Sequence, residues 1–111
     1  MDSMGLDTAG EEYVHAVIKL YRTGKYFCEK EVLAKKFLNH AVDAGMYITR
    51  VGESQDAAGK IAFAGRAMEE LKNSLFVLKI MQDEGYYPER LTQPVTSIAE
   101  RIKTSLAIYL P

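Results

Sequence analysis

The sequence predicts an all-α fold, an up-down-up-down antiparallel four-helix bundle, and three observations carry that prediction. The only prolines are Pro88, Pro94 and Pro111, so the chain from Met1 to Tyr87 holds no residue that forbids a helix. Apolar residues recur at three- and four-residue spacing in four stretches joined by short polar or glycine-bearing links. No stretch alternates apolar and polar residues between hairpin turns, as a strand would. With 111 residues, 48% hydrophobic and 26% charged, the chain suits one soluble domain, which folding lets bury roughly 60 to 70% of the surface of the unfolded chain.

The first helix is expected over about 8–22, where Tyr13, Val14, Val17, Ile18 and Tyr21 make one apolar face. Thr8 suits its N-cap, with Glu11 completing a capping box. Gly24 opens the link "TGKYFCEKE". A second helix follows over about 29–51, with the stripe Leu33, Phe37, Ala41, Ala44 and Ile48, and Gly52 stands where a left-handed terminating residue is wanted. The turn "GESQD" then offers Asp56 or Ser54 as the cap of the third helix, about 56–84, whose stripe is Ile61, Ala64, Met68, Leu71, Leu75 and Leu78. Ala57, Ala58, Gly59, Ala62, Ala64, Gly65 and Ala67 line its first half; they suit either close helix packing or simple helix propensity. Gly85 ends it. Pro88 opens the fourth helix at about 88–110, in which Pro94 marks a kink or a restart capped by Thr92, and Val95, Ile98, Ile102, Leu106 and Tyr109 form the seam.

Fourteen basic against fifteen acidic residues leave a net charge of −1, so no overall positive field draws nucleic acid or anionic lipid. One cysteine, Cys28, cannot form an intrachain disulfide, and two histidines provide no zinc pattern. With no signal-peptide pattern in "MDSMGLDTAGEE" and no run of about 18 apolar residues, a cytoplasmic protein without a membrane segment is expected. Glu12 and His15 form one Glu-x-x-His pair, half of a di-iron ligand pattern; His40 has Phe37, not a carboxylate, three residues before it. Phosphate loops, nucleophile elbows and triads are missing from the sequence, and Cys28 and His40 suit structural roles. Neither a catalytic residue nor a cofactor is therefore assigned. The best nucleic-acid patch is Arg22, Lys25, Lys30, Lys35 and Lys36, although Glu29 and Glu31 interleave with it.

The third helix is apolar almost all round between Leu75 and Met81. One subunit hides one stripe, and each large side chain left in water forfeits roughly 1.5 to 3 kcal/mol. A subunit interface is expected at Phe76, Val77, Ile80 and Met81, helped by Tyr86, Tyr87 and Ile108.

The runs "VLAKKFLNHAVDAGMYI" and "AMEELKNSLFVLKIMQDEGYY", with the turn between them, resemble the small four-helix-bundle proteins encoded in intervening sequences of bacterial 23S ribosomal RNA genes. The resemblance covers about Val14 to Leu110 and implies a homopentameric ring with an undefined molecular role. "GKIAFAGRAMEELKNSLFVL" is also similar to the accessory proteins of diversity-generating retroelements, which implies a reverse transcriptase and nucleic acid as partners. Where the ribosomal family often has Asn-Ile-Ala-Glu-Gly, this chain has Tyr47, Ile48, Thr49, Arg50 and Val51, and keeps only the Ile. Glu70 matches the acidic residue of its Ser-Leu-x-Glu motif, with Ala67 and Met68 before it, and a structural pair between Arg50 and Glu70 is conceivable. The expected function is a non-enzymatic homo-oligomeric scaffold; the alternative is a nucleic-acid-binding accessory protein partnering a reverse transcriptase or structured RNA.

Overall fold

Four α-helices account for nearly all of residues 3–24 and 29–111, the part of the chain that the structure, a computed structural model, describes. They are α1 (Ser3–Thr23), α2 (Glu29–Glu53), α3 (Ala57–Asp83) and α4 (Glu89–Ala107), with no strand among the described residues. Each helix packs on two others: α1 on α2 and α4, and α3 on α2 and α4. The pairs α1/α3 and α2/α4 therefore lie on the diagonals of a square. His40 meets Glu70 while Tyr47 meets Phe63, which sets α2 and α3 antiparallel; Glu12 meets Arg101, and Leu20 shares a groove with Leu91, which does the same for α1 and α4. The bundle is 44 Å long and 21 Å across, close to the roughly 40 Å of a helix as long as α3 at 1.5 Å per residue.

The core follows the predicted stripes, with extensions. Tyr13 and Val17 of α1 are buried as expected, and Leu6 and Leu20 continue their spacing in both directions. Leu6 explains why α1 starts at Ser3: burying one more large residue favours another turn. Thr8 thus lies inside the helix, its hydroxyl donating to the Gly5 carbonyl at 3.4 Å, and the predicted capping box does not form. In α2, Phe37, Ala41, Ala44 and Ile48 are buried, joined by Ala34 and Val51. The helix runs through Gly52 to Glu53, so Gly52 is not a left-handed terminator; Lys60 of α3 instead donates to the freed Val51 carbonyl at 3.0 Å. Asp56 does cap α3, its Oδ1 accepting from the Gly59 amide at 2.7 Å. Gly85 ends that helix at φ +81°, and the Tyr86 amide reaches back to the Met81 carbonyl at 2.8 Å in a Schellman arrangement. Pro88 is the N-cap of α4 rather than its first residue, and α4 continues through Pro94 without a restart. Pro94 is exposed, so water can serve the Arg90 carbonyl that lost its amide partner.

Two features of the interior were not anticipated. Across the diagonal from α1 to α3, the Tyr13 hydroxyl lies 2.7 Å from Ser74 Oγ, and both side chains are fully buried. Ser74 donates its single hydroxyl proton to the Leu71 carbonyl at 2.8 Å, so Tyr13 is the donor in the first bond and each buried hydroxyl hydrogen is used. Burial pushes the Tyr13 phenol up to about 12. The second feature is the crossing of α1 and α2 at Gly10 and Gly45. A Cβ placed on Gly10 would stand 2.5 Å from the Gly45 carbonyl oxygen, so the two backbones touch where neither has a side chain. The small residues of α3 have no such role at Gly65, where an added Cβ would meet nothing within 4 Å.

The apolar belt of α3 divides between its two neighbours and solvent. Val77, Leu78 and Met81 are buried within the subunit, as is Tyr87 beyond the helix end. Val77, Met81 and Tyr87 are therefore corrections to the predicted interface: α2 and α4 flank α3 on two sides and cover a wider arc than a single stripe. Ile61, predicted for the core, is exposed, because it lies on the outer side of the first turns of α3.

Candidate interaction face on α2 and α3

Residues from the two long antiparallel helices meet along one outer seam. At its centre Leu33, Lys36 and His40 of α2 face Asn73, Phe76, Val77 and Ile80 of α3 across a groove of about 420 Å³. Helical spacing explains the set: 33, 36 and 40 share one side of α2, and 73, 76, 77 and 80 share one side of α3. Phe76 is 68% exposed and Ile80 36%, so the wall supplied by α3 is apolar and open to solvent. Val32, one residue before Leu33, is 65% exposed.

Polar anchors hold the seam on either side of this groove. His40 and Glu70 are 2.7 Å apart and each one-quarter exposed, and since a carboxylate only accepts, the imidazole Nδ1 donates. Glu70 therefore partners His40, and the conceivable Arg50–Glu70 pair is not made. Arg50 instead lies over the Phe63 ring at 5.8 Å, Arg66 lies over Tyr47 at 5.9 Å, and the two rings stack with centroids 6.4 Å apart. At the opposite end of the seam Lys30 sits 5.0 Å above the Tyr86 ring. These contacts fix α2 against α3 and set the walls of the groove in register.

The predicted residues scatter relative to this face. Phe76 and Ile80 line the groove, Tyr86 is half-buried beneath Lys30, and Ile108, 73% exposed, caps the C-terminus of α4 and does not line it. Lys30 is held over Tyr86, Lys35 lies 3.5 Å from Glu31, Lys36 lines the groove, and Arg22 is exposed near the end of α1. Adjacent helical residues such as Lys35 and Lys36 point about 100° apart, which separates these charges. Lys25 and Cys28 lie outside the described residues. Glu12 pairs with Arg101 at 3.2 Å, both largely exposed, and among the described residues no three His, Cys, Asp or Glu side chains converge as metal ligands.

A second groove, of about 260 Å³, lies on the neighbouring face between α1 and α2 and was not anticipated. It is lined by Gly10, Glu11, Val14, His15, Gly45, Met46 and Thr49. The glycine crossing forms its floor, where the backbones of α1 and α2 approach closely. Sequence spacing did not reveal it because only the folded chain shows which glycine of α1 meets which of α2. No described helix is long and apolar enough to cross a membrane. No family model, no curated protein and no solved structure matches the chain.

Proposed function

We propose that the chain is a subunit of a homo-oligomer, a non-enzymatic helical scaffold whose copies associate through the α2/α3 face; the resemblance to the ribosomal intervening-sequence proteins implies five copies in a ring. The supporting observation is the exposure of Phe76 beside Ile80 at the centre of that face. A monomer of this size leaves single apolar residues in water without consequence, but a contiguous apolar wall in a groove marks a surface to be covered.

Covering Phe76 stabilises each contact by roughly 1.5 to 3 kcal/mol, or about 10- to 150-fold in association constant. Sedimentation velocity of the pure protein is expected to show a multiple of the 12.5 kDa subunit. Phe76→Glu should dissociate it while leaving the helix content unchanged, because the side chain lies outside the core. A wild-type chain that sediments as a single subunit at every concentration overturns the proposal.

A further inference from the structure

The two grooves lie on adjacent faces that share α2, and they differ in charge. On the α2/α3 face Phe76 is 68% exposed, and the groove that it lines carries Lys36. The α1/α2 groove is hollow above the Gly10–Gly45 crossing, is walled by Val14 and the half-exposed Met46, and carries Glu11. Among the described residues neither Lys36 nor Glu11 is ion-paired. A contact of either face with the same face of a second copy would bring like charges into one interface, Lys36 with Lys36 or Glu11 with Glu11, and would leave the other groove in water.

We infer that the α2/α3 face of one copy docks into the α1/α2 groove of the next, with Phe76 seated over the Gly10–Gly45 hollow and Lys36 on the side of Glu11. The contact is heterologous, so every subunit uses both faces, and the chain of contacts ends only by closing on itself. The glycine pair then serves twice: it lets α1 and α2 approach, and it forms the seat for the aromatic ring of the neighbour. This inference rests on the homo-oligomer reading and specifies which surfaces meet.

The test uses the full chain with Cys28→Ser, carrying either Asn73→Cys beside Phe76 or Met46→Cys in the α1/α2 groove, under mild oxidation. Each single variant alone should remain uncrosslinked, their mixture should give disulfide-linked pairs, and the chain carrying both cysteines should give a ladder of covalent oligomers ending in a closed species. Charge exchange provides a second readout: Lys36→Glu and Glu11→Lys should each weaken assembly by about tenfold, and the double variant should recover it. Efficient crosslinking of Asn73→Cys with itself would show an isologous contact and overturn the inference. An oligomeric wild type whose mixed variants do not crosslink would also overturn it, leaving the oligomer in place. A monomeric wild type would remove the reading beneath it.

Discussion

Gly10→Ala adds one methyl group at the tightest point of the bundle, and its consequence can be worked from the surrounding atoms. The new Cβ would lie 2.5 Å from the Gly45 carbonyl oxygen and 2.9 Å from Thr49 Oγ1. Thr49 can rotate, although its hydroxyl would lose a 3.0 Å bond to that same carbonyl. The carbonyl belongs to α2 backbone and moves only if the helix moves. Restoring a normal carbon–oxygen contact requires α1 and α2 to part by most of an ångström, a gap that forfeits a quarter to a half of the dispersion energy of the atoms beside it. Overpacking of this kind costs about 1 to 3 kcal/mol, and a rigid obstacle places it near the upper end. Alanine returns up to about 1 kcal/mol through its helix propensity. The expected net loss is about 2 kcal/mol, a fall in melting temperature of roughly 8 °C for a domain of this length. Gly65→Ala is the control: the same change with nothing within 4 Å of the new methyl should raise stability by about 0.5 to 1 kcal/mol. Thermal and urea melts followed by far-ultraviolet circular dichroism, at one protein concentration, compare the three proteins. A Gly10→Ala protein as stable as wild type would refute the close crossing of α1 and α2.

The buried Tyr13–Ser74 pair is open to a double-mutant cycle. Ser74→Ala leaves the phenol hydrogen without an acceptor and should cost about 1 to 3 kcal/mol; Tyr13→Phe leaves the Ser74–Leu71 bond in place and should cost about 1 kcal/mol. The two losses should not add, and additive losses would argue against the bond. Because the folded phenol titrates near 12 and the unfolded one near 10, this residue's contribution is complete below pH 10 and falls as pH rises from 10 to 12, by about 1.4 kcal/mol per unit. Urea midpoints of wild type and Tyr13→Phe should therefore meet at about pH 11 and cross above it, and parallel pH profiles would contradict the burial. Asp56→Ala removes the acceptor for the Gly59 amide and should cost about 1 kcal/mol, read from the same melts; an unchanged midpoint would deny the cap.

Helix number, order and approximate length were legible in the sequence because each depends on neighbours within one or two turns. Apolar spacing identified Tyr13, Phe37, Ile48, Leu71 and Leu106 as core residues, and Asp56 and Gly85 marked the ends of α3 through local hydrogen bonding and backbone freedom. Local signals misled where a tertiary partner outweighed them. Thr8 looked like a cap until buried Leu6 drew the helix back to Ser3, and Gly52 looked like a terminator until Lys60 of the next helix satisfied the Val51 carbonyl.

The sequence by itself determined that α3 carries more apolar surface than one stripe buries, since periodicity counts residues around a helix axis. Only the tertiary structure decided how that surplus divides: α2 and α4 take Val77, Leu78 and Met81, while Phe76 and Ile80 remain in the open groove. It also decided that Gly10 meets Gly45, that His40 rather than Arg50 takes Glu70, and that Tyr13 reaches Ser74 across the bundle. The physical reason is common to all of these. A helical pattern sets the direction of each side chain around its own axis, but contacts between helices depend on how the four rods are rotated and shifted against one another, which is settled by packing the whole core at once.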